Sequence, residues 1–181
     1  MKRIKLFEEY INEKKSKLRG WTRNYYQAAA EVKRWTSALE GTTDQVAFLN
    51  SLDCAKDPNE SFTQVVGQML KNALAHQKKT LKRKQGMLKK LQVEFKSKAI
   101  NAEPGAAEAM KIATATASIA PGSKLIHDDS LEVWKGFELT NSDLKKCEKY
   151  VADYQKKYEA AKSAFEPAED KFYDYLENKI K

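Results

Sequence analysis

The chain has 181 residues, of which 41% are hydrophobic and 32% charged, with 33 Lys and Arg against 25 Asp and Glu for a net charge of +8. That is enough apolar residue for a core, though less than an average globular domain carries. The two cysteines, Cys54 and Cys147, are far apart and form no CxxC pair, which argues against a disulfide framework or zinc site and for a reducing compartment. No stretch approaches the roughly 18 apolar residues of a transmembrane helix. The segment MKRIKLFEEYINEKK is basic but interrupted by Glu8, Glu9 and Glu13, so a secretory signal is not expected.

From about residue 3 to 40, Ile4, Phe7, Ile11, Leu18, Trp21, Tyr25, Ala28, Val32, Trp35 and Leu39 alternate three-four spacings, with Lys14 as the one polar exception. This heptad seam predicts a long helix with one face against partner helices. Gly41 stands where a left-handed residue would end it, and Gly20 is a weak point inside it. A shorter helix is expected over Asp44–Ala55.

Asp57-Pro58-Asn59-Glu60 is a start signal, with Asp57 as cap and Pro58 at the first helical position. The second long helix follows to about residue 98. Its seam is Leu70, Leu74, Leu81, Leu88, Leu91 and Phe95, with Gln77 and Lys84 as polar members.

Residues 99–139 differ in composition. Pro104-Gly105 and Pro121-Gly122 bracket an Ala/Thr-rich piece, AAEAMKIATATASIA, which reads as a short helix or mobile loop at one end of the fold. Further on, Trp134 and Phe137 of SLEVWKGF would dock back on the helices or touch a partner. Thr140-Asn141-Ser142-Asp143 then matches a capping box. The third long helix, 141–180, has the seam Leu144, Cys147, Val151, Tyr154, Tyr158, Ala161, Phe165, Ala168, Phe172 and Tyr175. Pro167 falls within it and predicts a kink near Ser163–Glu166, not a stop.

The fold class expected is all-α: a single domain over 1–181, built as an elongated antiparallel bundle or coiled coil of three long helices. An extra short helix and the Ala/Thr-rich insertion complete it. So slender a monomer buries little per residue, and a homo-oligomer, most simply a dimer, is expected.

Charge is the most informative feature. The run Lys71–Lys98 holds ten Lys or Arg against one acid, Glu94; ten against one leaves +9, and the whole chain is +8. The positive charge is thus one helical stripe, which selects a polyanion: a phospholipid surface, nucleic acid or an acidic protein. A face kept basic for solubility alone would mix signs. The candidate polyanion-binding residues are Lys71, Lys78, Lys79, Lys82, Arg83, Lys84, Lys89 and Lys90. A single Arg and the lack of an aromatic residue on the basic face argue against base readout and base stacking. DNA binding would therefore be nonspecific and salt-sensitive. Lysine suits a diffuse anionic membrane surface.

No catalytic, metal or cofactor motif accompanies the stripe. His76 and His127 are isolated, Cys147 is a core residue by its seam position, Cys54 has no base partner, and Asp128-Asp129 is a bare acidic pair on a loop. The aromatic seams read as core. A non-enzymatic protein is expected.

Three segments carry a resemblance to BAR domains, the helical dimers that sense or shape membranes. They are VKRWTSALEG at the end of the first helix, AHQKKTLKRKQGMLKKLQVEFKSK in the second and LKKCEKYVADYQKKYEAAKSAFEPAEDKFYDYLENKI in the third. The resemblance implies a dimer peripheral to the membrane on its cytoplasmic side, with Lys78, Lys79, Lys82, Arg83 and Lys84 facing lipid head groups and residues 99–139 at the tip. Separately, MKRIKLFEEYINE resembles the N-termini of tailed-bacteriophage virion proteins, some of them cut after Leu-x-Glu or Ile-x-Glu, as in Leu6-Phe7-Glu8 and Ile11-Asn12-Glu13. That resemblance implies a structural or scaffold protein of a virion whose basic face meets DNA or an acidic protein.

Overall fold

A computed structural model describes residues 2–56, 61–100, 103–122, 137 and 139–180, the first ten of these as backbone only. The fold is all-α. Helices α1 (Lys2–Asn50), α2 (Ser61–Phe95), α3 (Ala106–Ser118) and α4 (Asn141–Asn178) make up almost all of it. A 3₁₀ turn, Asp53–Lys56, follows α1, and a π-helical turn, Lys96–Ile100, closes α2. The signals at Asp57–Glu60, and His127, Asp128-Asp129 and Trp134, lie outside the described residues.

The chain divides into two compact units, each drawing on all three long helices. One comprises Met1–Lys33, Arg83–Ala120 and Ser163–Lys181; the other comprises Arg34–Lys82 and Pro121–Lys162. The segments interleave along the chain, so the division is one of packing and leaves no linker in the sequence.

In the first unit the core joins Leu18, Tyr25, Tyr26 and Ala30 of α1 to Phe95 and Ala99, the alanines of α3, and Phe165, Phe172 and Leu176 of α4. The Tyr26 ring lies 4.2 Å from Phe172, and its hydroxyl donates to Glu169 Oε1 at 2.5 Å. Tyr25 packs on Phe95 and hydrogen-bonds Thr114 at 3.1 Å. The Ala/Thr-rich piece is therefore a packed helix. Ala106, Ala109, Ala113 and Ala117 recur on one face and are wholly or almost wholly buried. Side chains this small bring backbones close. At the start of α3, Gly105 has φ +86°, a left-handed conformation that favours glycine.

In the second unit Leu49 and Leu52 meet Phe62, Val66 and Leu70 of α2 and Cys147 and Val151 of α4. Phe48 stacks on Tyr150 at 4.2 Å, and Phe137 docks edge-on against Phe62 at 5.2 Å.

Two expectations for α1 need correction. The helix does not end at Gly41 but runs on to Asn50, merging with the short helix expected at 44–55. Gly41 has no positive φ. Thr42 beside it is buried and donates to Ala38 O at 3.0 Å, so the buried face simply continues through Gln45 and Leu49. The buried face also extends beyond the heptad seam. Leu18 and Tyr25 of the seam are buried, but so are Thr22, Tyr26, Ala30, Ala38 and Thr42 beside it, while Trp21, Val32, Trp35 and Leu39 are half-buried. Threonine hides here because its hydroxyl bonds back one turn, Thr22 to Leu18 O at 2.8 Å. In α4, Ala161 is exposed and Pro167 is accommodated within an unbroken helix.

The capping box at Thr140 is half realised. Thr140 Oγ1 accepts the Asp143 N–H at 3.1 Å. Asp143 does not reach back. Its carboxylate, fully buried, instead accepts the backbone N–H groups of Asp53 at 3.2 Å and Cys54 at 3.1 Å. Lys146 completes the set, 3.1 Å from Asp143 and 3.2 Å from Asp53. This clamp ties the 3₁₀ turn to the start of α4. Burial pushes the Asp143 carboxyl up, but the two N–H bonds and Lys146 outweigh it and hold the group below its ordinary value.

Two measurements test this packing. Gly20 and Gly67 are exposed helical glycines with nothing within 4 Å of an added Cβ. Gly67 also lines a cavity of about 160 Å³ with Val46, Leu49, Phe62 and Leu70. Gly20→Ala and Gly67→Ala should each stabilise by about 1 kcal/mol, raising Tm by roughly 2–4 °C in a calorimetric scan. Asp143→Ala should cost about 1–3 kcal/mol, because two backbone N–H groups lose a buried carboxylate acceptor. A depressed carboxyl contributes stability that is full above its unfolded pKa and lost as pH falls through the folded one. Denaturation series on wild type and Asp143→Asn should therefore diverge at neutral pH and converge in acid.

Candidate polyanion-binding face

Helix α2 holds its position through Phe62, Val66, Leu70, Gln77, Thr80 and Phe95, all buried, with Leu74, Leu81, Lys84, Leu88 and Leu91 half-buried beside them. That one stripe follows the expected seam, polar members included. Gln77 Nε2 donates to Thr42 Oγ1 at 2.9 Å inside the second unit. Lys84 forms an ion pair with Glu31 of α1 inside the first, its side chain only 26% exposed.

The seam dictates where the remaining cations go. At 100° per residue, Lys71, Lys78, Lys82 and Lys89 fall in one row along the helix, and Lys79, Arg83 and Lys90 in the row beside it. All seven are exposed. Lys71, Lys78, Lys79 and Lys82 belong to the second unit, and Arg83, Lys89 and Lys90 to the first. Among the described residues none of the seven has an acidic partner within ion-pair distance. Glu94, the one acid of the run, is held by Lys98 at 2.7 Å. The structure thus keeps seven of the eight candidates on the solvent side and turns the eighth, Lys84, inward.

The remaining candidates are ordinary in their surroundings. His76 is exposed, edge-on to Trp35, and 3.5 Å from the Thr80 hydroxyl. Cys147 is fully buried; burial, then the neighbouring Cys54, pushes its thiol up to about 11. Asp143 is a buried carboxylate the capping-box reading misassigned. Its two backbone donors come from a turn about ninety residues away, so no local signal announces them. Among the described residues no group of His, Cys, Asp and Glu is placed to hold a metal ion, and no helix is long and apolar enough to cross a membrane. Scans against family models, curated proteins and solved structures find no match.

The split between Lys84 and its neighbours is measurable. Lys84→Glu sets like charges against each other in a half-buried place and should destabilise by about 1–2 kcal/mol in urea titration. Lys82→Glu, on the exposed row, should stay within about 0.5 kcal/mol of wild type.

Proposed function

We propose that this protein is a non-enzymatic, BAR-like binding module that docks the basic face of α2 on an anionic membrane surface. The observation that carries the reading is the set of seven exposed cations in two adjacent rows, unneutralised by any described acid. They project from one unbroken helix of 35 residues. A scaffold of that kind presents charge to a surface without an ordering cost at the moment of contact. The three long helices are read as the antiparallel bundle that their heptads anticipate, working as a homo-oligomer peripheral to the membrane.

The chemistry favours a lipid surface over nucleic acid. Lysine near an anionic leaflet contributes about 1 kcal/mol per residue. Four to seven engaged side chains would therefore supply on the order of 4–7 kcal/mol, without any group-specific geometry. Of the two amides of the run suited to a base edge, Gln77 and Gln85, the first is buried against Thr42, which leaves Gln85 exposed without an amide partner from that pair. The seam takes the aromatic residue of the run, Phe95, and buries it. Lys84, occupied by Glu31, is left out of the contact set.

The test is co-sedimentation with neutral and anionic vesicles at low and high salt. The protein should pellet with anionic vesicles alone and bind more weakly at high salt, since the screening length falls below about 8 Å above physiological ionic strength. Lys82→Glu with Arg83→Glu should abolish pelleting. If wild type stays in solution with anionic vesicles at low salt, the reading fails, and retention of duplex DNA under the same conditions would favour the scaffold alternative.

A further inference from the structure

We propose that Val93 is a membrane-inserting side chain, so that the α2 face enters the boundary between head groups and acyl chains of an anionic bilayer. This rests on the reading above that the face meets such a bilayer, and it adds an apolar component that salt does not screen.

Among the described residues five large apolar side chains are exposed: Val65, Met69, Met87, Val93 and Ile119. Four of the five are on α2, the basic helix. A single exposed apolar residue needs no explanation. Their concentration on the most charged helix does, because a face selected for solubility has no use for them. Val93 is the most exposed of all, at 68%. It follows Lys89 and Lys90 by four and three residues, which places it one helical turn from both and on the same side of α2. Lys96, also exposed, lies three residues further on. The cluster Lys89, Lys90, Val93 and Lys96 lies within the first unit. Met87, 50% exposed, flanks it one turn from Arg83 and from Lys90.

Valine is β-branched and gains nothing in helix propensity at an exposed position. Its value here must come from what it touches. The lysines around it carry long apolar stems beneath their ammonium groups. On an anionic bilayer the ammonium groups would stay with the phosphates while the stems and Val93 sink past them. An interfacial helix with basic and apolar side chains lies some 5–10 Å deep in this way. Charge complementarity identifies the occupant: an apolar centre ringed by cations matches an acyl boundary beneath a layer of phosphates. It does not match a duplex groove, whose contact with this face would strand Val93 among phosphates. Glu94, next in sequence, is paired with Lys98, which offsets part of its repulsion toward an anionic surface.

The experiment measures partition onto vesicles of phosphatidylserine mixed with phosphatidylcholine, at low and at high salt, with pure phosphatidylcholine as control. Val93→Gln keeps the helix and removes the apolar group, and far-UV circular dichroism verifies that it folds as wild type. Full burial of valine corresponds to about a tenfold change in partition. Val93→Gln should therefore bind about tenfold more weakly at both salts, and Val93→Leu at least as well as wild type. Lys89→Gln with Lys90→Gln should weaken binding at low salt and converge with wild type at high salt. If Val93→Gln matches wild type at both salts while the lysine pair matters, insertion is overturned and surface docking stands. A loss for Val93→Gln confined to low salt also overturns insertion, since it would mark a change in the charges. If wild type does not bind the phosphatidylserine vesicles at all, the docking reading itself fails.

Discussion

A helix of almost ten turns has a limited contact area with its neighbours, and whatever it does not bury must live in water. Helix α2 closes its stripe with Phe62, Val66, Leu70, Gln77, Thr80 and Phe95. Every residue type that cannot enter that stripe is displaced to the outside. This constraint generates the basic face: the lysines sit where the seam leaves them. Lys84 shows the rule from the other side. Its place in the seam brings it against Glu31 of α1, and a cation that must be half-buried is tolerable only with a carboxylate beside it. One side chain of the basic run thereby serves the core, and its neighbours on either side do not.

The long helices were legible because their apolar residues repeat at three and four, and α2 was read most completely, Gln77 and Lys84 included. Other features were hidden for physical reasons. A glycine suits both a left-handed helix end and a helix interior, so Gly41 alone could not show that α1 continues; the deciding residue is Thr42, which bonds its own helix and packs like valine. The same property concealed Thr22, and with it the extension of the buried face beyond the heptad seam. The sequence places Asp143 at the start of α4 and suggests a local partner. The backbone donors that hold it come from the turn after α1, a pairing made only by the fold. The Ala/Thr-rich piece reads as helix or loop from composition alone, since alanine favours helices while threonine does not; its alanine spacing of three and four is what marks a packed helix.

Charge, burial and apolar exposure on α2 together narrow the chemistry more than charge alone. A basic stripe is compatible with any polyanion. With Gln77 and Phe95 drawn into the core, the outer side of the stripe carries valine and methionine among its lysines, and that composition is what the membrane proposal rests on. The α2 face is thus defined as much by what the seam removed as by what it left.

Cys147 carries a consequence of a different kind. Its thiol is enclosed by Leu52, Phe62, Val66 and their neighbours and titrates near 11. At neutral pH roughly one such thiol in ten thousand is a thiolate, the reactive form. Alkylation must then wait for the surrounding helices to separate. The residue is a built-in clock for opening of the second unit: where reclosing outpaces labelling, the labelling rate relative to a free thiol gives the free energy of that opening.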